Sequence, residues 1–138
     1  MHWKARVPLL AAALWWGSLT AVGFIAVPIL FSHFPAATAG QAAARLFTGQ
    51  AWTSIACGLV VLMGARGDEG TASMDWARGA IGFVLVGLLL AILGEFAIAP
   101  RIVARQDLAF WHTAGTAAYG LQWVCAAAVF WKLSARSA

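Results

Sequence analysis

Charge is what this sequence has least of. Only 10% of its 138 residues are Asp, Glu, Lys or Arg, where a soluble domain carries about 25%. So few charges cannot wet a globular surface, and lipid must solvate most of the chain. Cysteine is scarce as well. Cys57 and Cys125 stand alone in apolar runs, with no CxxC or zinc-ligand spacing, so neither a disulfide framework nor a structural zinc site is indicated. Both read as small buried hydrophobes. Glycine-rich phosphate loops are missing, and so are basic stretches interleaved with aromatics, which sets nucleic-acid partners aside. No segment alternates apolar and polar residues in the manner of a barrel strand.

What the chain has is hydrocarbon, 62% of it in hydrophobic residues. The apolar runs are four, 8–31, 46–63, 79–99 and 108–133. Each is close to the roughly 20 residues that cross about 30 Å of bilayer as a helix. Within lipid the backbone must satisfy its own polar groups, so these runs are helices. The length allows a single domain, 1–138. The expected fold is all-α, an integral membrane four-helix transmembrane bundle with helices over roughly 8–31, 39–64, 74–99 and 107–133. The first run follows Lys4 and Arg6, but it is longer than a signal-peptide core and no early A-x-A site closes it. Pro8 suits a first helical turn, and Pro28 should kink the far end. Thr38 and Gln41 have the spacing of a capping box, while Ser73 and Asp107 are placed to cap the third and fourth helices. Trp76 and Arg78 anchor the start of the third at the interface.

Four spans put both termini on one side. Lys4, Arg6, Arg66, Arg78, Lys132 and Arg136 lie on that side, against Arg45, Arg101 and Arg105 on the other. The positive-inside rule then makes both termini cytoplasmic in a bacterial-type inner (plasma) membrane.

Polar residues gather on helical stripes. Gln41, Arg45, Thr48 and Trp52 share one face by i, i+4 spacing, and His112, Thr116, Tyr119 and Trp123 share another. Trp16, Thr20 and Gly23 form a third, and Gly87, Ala91 and Gly94 form a small-residue stripe suited to close helix contact. Glu95 adjoins that last stripe, five residues before Pro100. If Pro100 ends the third helix, Glu95 and His112 lie at one depth with Arg45 close by. The candidate polar site is therefore Arg45, Glu95, Arg101, His112 and Thr116, in the outer half of the bundle. An ionisable group at membrane depth is costly, and it marks either an internal ion pair or a functional site. Pro100 suits the end of the third helix or the first turn of a new short one; either way Arg101 leaves the bilayer there, and its fork suits Asp107, Glu95 or free carbonyls as a tie over the bundle mouth. His33 and His112 raise haem b with two axial imidazoles as a remote alternative. No catalytic triad and no metal site is indicated, and no cofactor is expected.

Trp16–Phe31 (WGSLTAVGFIAVPILF), Ala39-Gly40 with Leu46-Phe47, Pro100-Arg101, and Phe110 and His112 with Thr116 together resemble the transmembrane protein 205-like family, whose bacterial members carry a domain of unknown function, DUF4149. The resemblance covers nearly the whole chain and implies a four-span membrane protein without implying an activity. Gly17, Thr20, Phe31, Leu46, Phe47, Pro100, Arg101 and His112 are the matching positions, whereas Thr116 replaces a serine and Tyr119 an asparagine. Glu95 stands on physics alone. The reading is a non-enzymatic module that binds a small ligand, a metal or a partner protein. The alternatives are a haem- or quinone-binding redox protein and an oligomeric transporter protomer. Expected partners are the lipid bilayer, further copies of the chain or another membrane protein.

Overall fold

The computed structural model describes the backbone of residues 2–66 and 71–137 and the side chains of residues 3–64 and 79–135. Four helical rods account for it. The first joins α1 (His2–Thr20), a π-helical stretch (Ala21–Ala26) and α2 (Val27–His33). The second is α3 (Ala36–Arg66). The third joins α4 (Thr71–Leu93), a second π-helical stretch (Gly94–Ile98) and α5 (Ala99–Val103). The fourth is α6 (Leu108–Ser137). The fold is an all-α, membrane-embedded four-helix bundle, and the described residues include no strand. Among the described residues three stretches are long and apolar enough to cross a bilayer: Trp3–His33, Ala36–Gly64 and Gly79–Val103, with mean hydropathies of 1.8, 1.5 and 2.5. The fourth rod spans 30 residues, but His112, Thr116, Tyr119 and Gln122 interrupt its apolar character.

The rods follow one another around a ring, each packed on its two neighbours. Ala12, Trp15, Leu19, Val61, Val84 and Val129 are among the side chains that meet on the axis. Trp15 is wholly buried and lays the tip of its indole against Gly87 of the opposite rod. A Cβ at Gly87 would collide with that ring, so the glycine here is a seat for tryptophan. Such close approach is how helices associate in lipid, where burial of apolar surface gives no advantage over the solvent.

Helix ends differ from the sequence expectations, mostly because of proline. Pro8 lies inside α1, since that helix already begins at His2, and its ring packs on Gly64. Pro28 and Pro100 do not end their rods. Each sits in the first turn of a new α-segment, directly after a π-helical stretch. A proline inside an α-helix lacks an N–H and presses on the carbonyl four residues back. Widening the preceding turn by one residue relieves that clash. The backbone shows the wider turn: Val27 N–H donates to Val22 C=O, and Ala99 N–H donates to Gly94 C=O, both five residues back. α3 starts at Ala36, where Pro35 C=O accepts from Ala39 N–H at 2.9 Å, so Thr38 lies inside the helix and does not cap it. Asp107 adopts a left-handed φ of 39° and closes the start of α6 through its carbonyl, which accepts from Trp111 N–H at 3.1 Å. Before it, Arg105 takes a φ of 56°, with Arg105 N–H donating to Ile102 C=O and Gln106 N–H to Arg101 C=O. That pairing is a Schellman ending with arginine where glycine is usual. The third helix starts at Thr71, ahead of Ser73, and the side chains of Ser73, Trp76 and Arg78 lie outside the described residues.

The two halves of the chain repeat one another. Phe-x-x-x-Pro occurs at Phe24–Pro28 and again at Phe96–Pro100. Thr-Ala-Gly-x-Ala-Ala-x-x-Leu occurs at Thr38–Leu46 and again at Thr113–Leu121. Aligned on these motifs, buried positions coincide: Pro8 with Ala80, Ala12 with Val84, Trp15 with Gly87 and Leu19 with Ala91. Ala51 pairs with Ala126, and Gly58 with Leu133. Each half is one helical hairpin, and both π-helical stretches fall at the same end of the bundle.

Candidate functional site

Polar side chains inside the bundle fall into two groups. The first is a buried belt. Gln50 donates from Nε2 to Ser18 Oγ at 3.0 Å and to Ser54 Oγ at 3.1 Å. Trp15 Nε1 donates to Gln122 Oε1 at 3.3 Å. Gln50, Ser54 and Gln122 are all buried. Toward the π-helical end, Trp123 Nε1 donates to Thr20 Oγ1 at 2.9 Å and Tyr119 Oη donates to Leu19 C=O at 2.6 Å. Leu19 C=O is the group an α-helix would pair with Gly23 N–H. The tyrosine lies flat against Gly23, where any Cβ would strike its ring, so it wedges the first rod open where the π-helical stretch begins. These bonds join three of the four rods and tie polar groups to one another, which is a structural arrangement.

The second group holds the one described carboxylate within a span. Glu95 belongs to the second π-helical stretch and is half-buried on the seam between the second and third rods. Thr48 Oγ1 donates its single proton to both carboxylate oxygens, at 3.0 and 3.2 Å. Thr48 is the hydrogen-bonding partner of Glu95 among the described residues. An ionised carboxylate offers about four acceptor sites, so most of its capacity faces outward. One turn deeper on α3, Trp52 meets Phe96 edge to face with centroids 6.2 Å apart.

The other candidates are arranged differently from the sequence expectation. Arg45 is exposed and makes no hydrogen bond to Glu95. His112 is exposed as well, its carbonyl accepting from Thr116 Oγ1 at 2.9 Å. For His112 the physical reason is depth. The third rod continues through Pro100 to Val103, which sets Glu95 eight residues from the end, about 12 Å at 1.5 Å per residue. His112 is four residues into α6, about 6 Å by the same rise. Arg101 does tie the third rod to the fourth, but through other groups. It donates to Ala97 C=O at 2.6 Å and stacks over the Trp111 ring, 4.7 Å from its centroid. His33, exposed at the end of α2, turns Nδ1 to Ser32 Oγ and Ile29 C=O. Among the described residues no three His, Cys, Asp or Glu side chains converge as metal ligands.

Two open recesses, of about 370 and 410 Å³, lie between rods one and two and between rods three and four. Their walls are apolar, Leu10 and Val60 in one and Phe83 and Leu121 in the other, as expected of a lipid-facing surface. Sequence reasoning missed the belt. Its signal was present in Gln50 and Ser54, two polar residues at i, i+4 inside an apolar run, and in Gln122 within another.

Comparison with curated proteins and with solved structures returns no match. Residues 10–110, most of the chain, match the family described as a domain of unknown function, DUF4149, and the protein belongs to that family.

Proposed function

We propose that the protein is a non-enzymatic membrane module that binds a small ligand at the seam between its second and third rods. One observation carries the reading: Glu95, inside a membrane-spanning rod, is held by a single hydroxyl and left with acceptor capacity to spare. A carboxylate at that depth is expensive unless something completes its shell. Several of the described hydroxyls support a binding role over a catalytic one, because they are committed to their own helices. Ser18, Thr20, Thr53, Thr113 and Thr116 all donate to backbone carbonyls three or four residues back.

Native mass spectrometry of protein released gently from membranes tests this. The parent is expected to carry a small-molecule adduct that Glu95→Gln loses, since glutamine fills the same space but brings no charge. Identical spectra for the two would end the reading.

The proposal extends to topology. With both termini cytoplasmic in an inner membrane, the Glu95 seam opens toward the outer leaflet. A reporter fused after Ala138 is then expected to read cytoplasm, and a periplasmic signal would reverse the orientation. The residues shared with the transmembrane protein 205-like family, from Trp16 to Phe31 and at Pro100-Arg101, support kinship with that group.

A further inference from the structure

We propose that the Glu95 seam takes a lipophilic organic cation, a quaternary ammonium or phosphonium, from the outer half of the bilayer. The inference rests on the binding reading above and names the ligand class. Charge comes first. Among the described residues Glu95 has no cationic partner: Arg101 is engaged by Ala97 C=O and the Trp111 ring, and Arg45 stands exposed and unpaired with it. A cation arriving from outside would supply the neutralising charge.

The walls of the seam say what kind of charge. Trp52 and Phe96 are 56% and 59% exposed, so their rings present faces as well as the edge-to-face contact between them. An onium group is drawn to an aromatic face, to tryptophan most of all, and needs no hydrogen-bond acceptor. Inorganic cations are a poor fit. Calcium and magnesium require six or more oxygen ligands, or ordered water in their place, and zinc three or four side-chain ligands, whereas the seam offers one carboxylate and one hydroxyl facing lipid.

A second observation comes from the repeat. The seam between the fourth and first rods is its counterpart in the repeat, with Trp123 standing where Thr48 does and Ala127 where Trp52 does. There Phe24, the counterpart of Phe96, meets Trp123 edge to face at 5.6 Å. Gly23 stands where Glu95 does, and the Tyr119 ring fills the space beside it. The position matching Tyr119 in the other half is Ala44, which is exposed. One seam is thus plugged by its own aromatic ring. Its counterpart replaces the ring with a methyl group and the glycine with a carboxylate. A ligand with an apolar body and a positive head supplies both missing parts, its body where the tyrosine ring would lie and its charge on Glu95.

Equilibrium dialysis of tetraphenylphosphonium against the full-length protein in neutral maltoside micelles is the test. Saturable binding at one site is expected. Benzyltrimethylammonium should displace the probe, and its uncharged carbon isostere neopentylbenzene should not. Glu95→Gln is expected to weaken binding at least tenfold and Trp52→Ala at least threefold. Trp131→Ala, at the far end of the fourth rod, should leave it unchanged. Ala44→Tyr, which keeps the carboxylate and restores the plug, is expected to weaken binding at least tenfold with no loss of thermal midpoint. Absence of saturable binding to the parent, or equal binding to Glu95→Gln, overturns the cation. If the mass adduct remains dependent on Glu95 in that case, the binding module stands and only the ligand class falls.

Discussion

Trp15→Ala is expected to destabilise the bundle by about 3 kcal/mol, the lower end of the range for removing a buried tryptophan. The usual cost has two parts, transfer of the lost surface and the cavity left behind. In a bilayer the first part nearly vanishes, because lipid chains are as apolar as the core. The cavity term stays. Trp15 is wholly buried on the axis, with its indole over Gly87, which has no side chain of its own to enter the space. Its Nε1 also donates to Gln122, so the truncation strands a buried acceptor. Trp15→Phe keeps much of the ring and loses only the donor, with an expected cost of about 1–2 kcal/mol. Unfolding titrations in mixed maltoside and dodecyl sulfate micelles measure both. A Trp15→Ala protein within 1 kcal/mol of the parent would mean that the axis repacks freely.

The rods themselves were legible in the sequence, because hydrocarbon thickness and backbone hydrogen bonding leave a chain this apolar few alternatives. Their ends were not. Most of the errors trace to a proline or to a turn that proline-bearing rods adopt. Treating Pro100 as a terminus sets Glu95 near the surface and level with His112. The structure carries the helix on to Val103 and separates them. On the third rod the face failed for a related reason. Stripes counted at i, i+4 assume an unbroken α-period. One extra residue in a π-helical turn rotates everything beyond it by about 100°. Gly87 and Ala91 are buried, as their stripe implies, but Glu95 lies past the break and turns to the seam. On α3, which has no such break, Thr48 and Trp52 do share one face toward the third rod, and that face is the outside of the seam.

The repeat makes this arrangement intelligible. Two similar hairpins, each with a widened turn before its proline, create two similar seams at one end of the bundle. Divergence then assigned them different tasks. The Tyr119 side locks the first rod to the fourth through a hydroxyl on Leu19 C=O. Its counterpart carries the charge. Large-for-small exchange at repeat-related sites runs through the core too, with Trp15 and Gly87 filling each other's space across the axis.

The Tyr119 lock gives the second large effect. Gly23→Leu places a side chain where the tyrosine ring lies, and overpacking of that kind costs about 1–3 kcal/mol. Tyr119→Ala removes the ring and leaves Leu19 C=O without its donor, an expected loss of about 2–4 kcal/mol. Combined, the two changes should cost less than their sum. The leucine enters the space the ring has vacated, so each change relieves the other. The expected coupling is about 2 kcal/mol in favour of the double variant, within the range for residues in direct contact. The same unfolding titration, run on the parent and all three variants, closes the cycle. Strict additivity would show that Tyr119 does not rest on Gly23 in the bilayer, and the wedge that opens the first rod would have to be sought in Pro28 alone. A positive coupling assigns the widened turn to both residues acting together: the proline makes an α-turn costly at that level, and the tyrosine hydroxyl takes up the carbonyl that the wider turn sets free.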